Sequence, residues 1–119
     1  AWSGDRYIVM RNRHGQDFAL AWLLVWDSSS DAGAFFDLFK EMAIKKNHTY
    51  KVLESTSHVF SASAYQDNIF VEKRDSRVVV IETTFANPGK TFRMTDAMFD
   101  AETKKATYSD FEVLPAYYR

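Results

Sequence analysis

Phe18-Ala19-Leu20-Ala21-Trp22-Leu23-Leu24-Val25-Trp26-Asp27 decides how this chain is read. As a strand, it projects Phe18, Leu20, Trp22, Leu24 and Trp26 from one face and Ala19, Ala21, Leu23 and Val25 from the other. A half-exposed strand alternates apolar with polar residues, so a run that is apolar both ways needs cover on both sides. The helix expected to follow supplies one cover. A chain of 119 residues has little left for the other. The sequence therefore predicts that the second face is covered by the C-terminal tail, by a second copy, or by part of a larger protein, and that this polypeptide does not hide it unaided.

Upstream, Tyr7 to Arg11 reads as a short strand, and Arg13-His14-Gly15-Gln16-Asp17 has turn chemistry, so the two strands form a hairpin. Downstream, Ser28-Ser29-Ser30-Asp31 has the spacing of a capping box, in which the Ser28 hydroxyl accepts from the Asp31 N–H. The helix runs to about Lys46, with Ala32, Phe35, Phe36, Phe39, Met42 and Ala43 as its apolar stripe. Lys45 and Lys46 suit its negative end, and Asn47 suits a left-handed stop. Thr49 to Leu53, His58 to Tyr65, Asn68 to Arg74 and Arg77 to Thr84 read as strands, the last two joined through Asp75-Ser76. Val78-Val79-Val80-Ile81 is again apolar on both faces. Asn87-Pro88-Gly89 ends the pattern. Thr95 to Lys104 reads as a short helix and Phe111 to Tyr118 as an extended strap. The order ββαββββ specifies an α+β domain: an antiparallel sheet of five or six strands, one main helix on a face, a core over residues 1–84 and an irregular tail over 85–119.

Composition narrows the function classes. Hydrophobic content of 46% and charged content of 26% are those of an ordinary globular domain, while ten Phe, six Tyr and three Trp make it unusually aromatic. A net charge of −1 provides no electrostatic footprint for nucleic acid or an anionic membrane. The absence of cysteine excludes disulfides, thiolate zinc sites and a cysteine nucleophile. The apolar run before Asp27 is too short to span a bilayer. With no initiator Met and no signal-peptide pattern, the expectation is a processed chain or an excised domain.

Trp2-Ser3-Gly4-Asp5-Arg6-Tyr7, Trp26-Asp27-Ser28, Asp31-Ala32 and Phe35-Phe36 resemble the W-x-G-D-R-Y … W-D-(S/T)-x-x-D-A-x-E-F segment at the C-terminal end of secreted, zinc-metallopeptidase-like bacterial and archaeal proteins. The resemblance covers residues 1 to 46, with weaker agreement at Arg77 to Glu82. Gly33-Ala34 departs from that pattern, and the H-E-x-x-H of the peptidase region has no counterpart here. The resemblance thus implies an accessory part of such a protein and, with it, an extracytoplasmic (periplasmic or secreted) location. Gly4, Asp5, Arg6, Asp27, Ser28 and Asp31 are its structural residues: Gly4 for a tight lead into the first strand, Asp5 for capping a turn, and Arg6 for pairing with a carboxylate such as Glu82. Trp26 packs against the first helical turn.

Candidate chemistry is sparse. His14, His48 and His58 lack ligand spacing, so neither a metal nor any other cofactor is expected. No nucleophile elbow or glycine-rich phosphate loop occurs, and no catalytic residue is assigned. Asn47-His48-Thr49 is a glycosylation sequon by pattern. Ser61 and Ser63, interleaved with Ala62 and Ala64, permit close packing on a strand. Glu72 and Asp75 read as solvated edge charges. What is left is aromatic surface: Trp2, Trp22, Trp26, Phe60, Phe70, Tyr117 and Tyr118 are the candidate interface or pocket residues. The reading is a non-catalytic accessory or assembly domain acting through an apolar sheet face, with an upstream domain, another chain or a second copy as partner. The alternative is a small apolar-ligand binder whose pocket is lined by Trp22, Phe60, Ala62, Ala64 and Phe70.

Overall fold

A computed structural model describes residues 2–12, 17–46, 50–64, 67–84, 95, 96, 98, 99 and 111–113. Strands β1 (Trp2–Asn12) and β2 (Phe18–Trp26) precede helix α1 (Ser29–Lys46). Strands β3 (Lys51–Ser55), β4 (Val59–Ala64), β5 (Asp67–Arg74), β6 (Arg77–Thr83) and β7 (Phe111–Val113) follow. All pair antiparallel in the order β3-β4-β5-β6-β2-β1-β7. The expected α+β architecture is present, and the tail adds a short seventh strand on β1. The two strands expected to be apolar on both faces, β2 and β6, lie side by side in the interior of the sheet.

The W-x-G-D-R-Y segment differs from its expected form. It is not a turn leading into a strand but the first part of β1 itself, with a register shift between Trp2 and Gly4. Gly4 takes φ of 158° there, and a Cβ would meet nothing within 4 Å, so glycine is required by backbone conformation and not by space. Asp5 caps no turn; its carboxylate accepts from the Trp22 indole N–H at 3.0 Å across the ladder.

The helix begins as its sequence dictates. Ser28 Oγ accepts from the Asp31 N–H at 3.0 Å, and the Ala32 N–H donates to the Ser28 carbonyl at 3.1 Å. Ala32 and Phe36 are fully buried on the sheet, flanked by half-buried Phe35, Phe39 and Ala43. Beneath them lie Trp22, Leu24, Phe60, Ala62, Ile69, Val71, Val78 and Val80. Met42 does not join this core and is 56% exposed. At 100° per residue it falls well off the centre of the buried stripe.

The opposite face is closed by the chain's own C-terminal part, which corrects the expectation that β2 cannot be covered without help. Met98 and Phe99, helical and buried, join a core with Met10, Ala19, Ala21, Leu23, Phe70, Val79 and Ile81. Two arginines of the β5–β6 hairpin hold this segment. Arg74 bonds both Glu72 and Asp96, and its guanidinium carbon lies 4.3 Å from the centroid of the Phe99 ring. Arg77 donates to the Phe99 carbonyl at 3.1 Å. Burial works against the Arg74 charge, but the hydrogen bonds to Asp96 and Glu72 outweigh it and raise its pKa above the usual arginine value. Glu72 is therefore a buried, paired carboxylate and not a solvated edge charge. Its neighbour Asp75 is exposed and turns the hairpin with φ of 54°, a conformation that Asp tolerates.

Candidate functional site

The direction of α1 determines which part of the sheet it leaves bare. The helix starts beside Trp26, where Gly33 lies against the Lys73 side chain and the Lys73 amine donates to Ser29 at 2.9 Å. It ends near Tyr50, whose hydroxyl donates at 2.5 Å to Asp67 at the start of β5. This diagonal covers β4, β5 and β6 but only the Trp22–Trp26 half of β2. Along the other half, Phe18 is 44% exposed, Tyr7 is also exposed, and Val9 and Leu20 are half-buried. All four lie on the helix side of the sheet, in line with Trp22 by register and alternation.

The flank of α1 above this region is apolar too. Phe35 packs on Trp22 and Trp26, with ring centroids 6.4 and 5.1 Å apart, so the Phe35 side of the helix overhangs β2. Leu38 and Met42, three and seven residues further along, extend that side toward solvent and are both exposed. Helix flank and β1–β2 ribbon together make an apolar angle. Where the two strands emerge from it, Val9, Phe18 and Leu20 line an open groove of about 190 Å³ with Asp67, Glu82 and Thr84 at its margin. Thr84 fixes the groove's end: its hydroxyl accepts from the Phe18 N–H at 2.9 Å and donates to Asp17 at 3.3 Å.

The residues anticipated as interface or pocket are dispersed. Trp22 and Trp26 sit half-buried at the floor of the angle, where the Trp26 indole N–H has no hydrogen-bond partner among the described residues. Phe60 and Ala62 are buried beneath α1, whereas Phe70 points to the opposite face, so the three line no common cavity. Trp2 is on β1, paired in register with Trp26. Tyr117, Tyr118, His14, His48, Asn47 and Thr49 lie outside the described residues. Asp27 is exposed just before the cap and Arg6 exposed on β1, while His58 is exposed in the β3–β4 turn. The residues that sequence reading missed are Tyr7, Val9, Phe18, Leu20 and Leu38. Only the diagonal course of α1 distinguishes them from core.

Among the described residues, no group of three or more His, Asp or Glu side chains is arranged to hold a metal ion. No helix among them is long and apolar enough to cross a membrane. Among the described residues, an antiparallel sheet, a main helix crossing it diagonally and an apolar angle on one face define the class, an α+β domain. The chain belongs to the family of the domain of unknown function DUF8575, which matches residues 1–93. No curated protein and no solved structure matches it.

Proposed function

We propose that this chain is a non-catalytic assembly domain, an accessory part of a secreted peptidase-like protein, and that it holds its partner in the angle between α1 and the β1–β2 ribbon. The observation that carries the reading is that Tyr7 and Phe18 on the β1–β2 ribbon and Leu38 and Met42 on the overhanging flank of α1 are all exposed, with Val9 and Leu20 half-buried on the same face of the ribbon. Exposed apolar side chains that converge on a concave surface are characteristic of interaction sites, whereas isolated ones are not. The peptidase context and the extracytoplasmic location come from the resemblance of residues 1 to 46. The partner is an apolar segment of an upstream domain or of another chain.

Site-specific photocross-linking in the native host tests this. A benzophenone side chain at Phe18 or Leu38 is expected to give one discrete adduct to a single protein or to the upstream region, while the same probe at Asp75 gives none. Diffuse or absent adducts from both angle positions would remove the proposal. A second reading, a small apolar ligand, is supported by the groove at Val9, Phe18 and Leu20 with its polar margin. A concentration-dependent rise in melting temperature with a fatty acid or aromatic panel, lost in Leu20→Trp, would favour that reading.

A further inference from the structure

The edge strand β3 lies at the far end of the sheet from this angle, and all five of its residues are exposed, Val52 and Leu53 by 45% and 59%. Its register on β4 is irregular: Lys51 pairs with Ser63 and Val52 with Ala62, but Glu54 pairs with Ser61. The extra residue, Leu53, makes a bulge. Without it Lys51 and Glu54, three apart, would project from opposite faces. With it they stand opposite Ser63 and Ser61, two apart on β4, and so share the face that carries Met98 and Phe99.

We propose that β3 is a self-association edge, whose occupant is β3 of a second copy, paired antiparallel about a two-fold axis perpendicular to the sheet. Such an axis keeps each face on its own side. Lys-Val-Leu-Glu run against itself then sets Lys51 beside the second copy's Glu54 twice over, and brings Val52 to Leu53 at the centre. The strand is complementary to itself in both charge and apolarity, and the bulge is what brings the two charges onto one face. Opposite charges facing each other across strands attract, and like charges repel. The other edge of the sheet is partly occupied, since β7 pairs with Met10–Asn12 of β1. Pairing through β3 leaves both α1 angles free, so the dimer is bivalent for the partner proposed above but does not depend on it.

Sedimentation analysis of the full chain from micromolar to millimolar concentration, with charge-exchange variants, tests this. The wild type is expected to form a weak dimer that dissociates as salt rises. Lys51→Glu and Glu54→Lys each set like charges opposite one another at both ends of the pairing and are expected to weaken dimerisation about tenfold or more. Mixing the two single variants re-creates both opposite-charge pairs and restores a heterodimer, and the double exchange restores a homodimer. Both substitutions are at exposed positions, so unchanged melting temperatures establish that the variants fold. A wild type that is monomeric throughout would overturn the proposal, showing that Lys51 and the bulge blunt the edge. Equal dimerisation of wild type and both single variants would overturn it as well.

Discussion

The two faces of β2 are closed in different ways. One lies under an eighteen-residue helix, regular and capped, that crosses the sheet obliquely and leaves Phe18, Leu20, Val9 and Tyr7 outside its shadow. The other lies under the segment that carries helical Met98 and Phe99, and Ala19, Ala21 and Leu23 beneath it are almost completely buried. The contrast teaches that a long amphipathic element secures its own stripe and not the whole face it crosses. A few apolar residues close a face when polar side chains pin them at the right place. Here the pins are Arg74 and Arg77, which hold Phe99 by its ring and by its carbonyl.

Removing buried side chains breaks the comparison most severely. Phe99→Ala is expected to cost about 3–5 kcal/mol and Met98→Ala about 2–5 kcal/mol, in the range of Phe36→Ala under the helix. Urea denaturation followed by tryptophan fluorescence measures all three. If the Met98 and Phe99 variants lose under 1 kcal/mol, the C-terminal segment is not an equal partner of α1 in closing the sheet.

Removing the pin comes next. Arg74→Ala deprives buried Glu72 of its partner, and because the Arg74 side chain is itself partly exposed the loss is set at about 1–3 kcal/mol. Combined with Phe99→Ala it should be non-additive by about 0.5–2 kcal/mol in a double-mutant cycle. Strict additivity would mean that the arginine does not act through the ring. On the helix side, Ser28→Ala deletes the cap and should cost about 1 kcal/mol in the same assay. A neutral result would place the start of α1 elsewhere.

The smallest effect on stability is expected where the largest effect on binding lies. Phe18→Ser and Leu38→Ser remove exposed side chains and should shift unfolding by no more than about 0.5 kcal/mol. The same substitutions should abolish the cross-linked adduct formed from a benzophenone probe at Met42. A loss of several kcal/mol would reassign these residues from the surface to the core.

Much of this contrast is legible in the sequence, though unevenly. The capping serine, the 3.6-residue spacing of Ala32, Phe36 and Ala43, and the period-2 runs of β2 and β6 are local signals, and each element forms where they place it. The need of β2 for two covers is equally readable. The nature of the second cover is not, because Met98-Phe99 is a two-residue apolar patch with no period of its own. Its partners, Glu72 and Arg74, look like ordinary hairpin charges until the chain returns to meet them. The apolar angle escapes for a related reason. Phe18 and Leu20 belong to the same alternating set as Trp22 and Leu24, and only the crossing direction of α1 separates exposed members from buried ones. Met42 fits a stripe drawn generously along the helix, yet lies outside the narrower arc that touches the sheet.

Methionine oxidation in the native protein tests the central claim with probes the chain already carries. Met10 and Met98 are fully buried on the face sealed by the C-terminal segment, and Met42 is exposed on the overhanging flank of α1. Under dilute hydrogen peroxide, peptide mass spectrometry should find Met42 converted to sulfoxide at the rate of a free methionine while Met10 and Met98 lag by at least tenfold. Oxidation of Met98 as fast as Met42 would contradict the account, because the second face of β2 would then be open and the distinction between the two faces would fail.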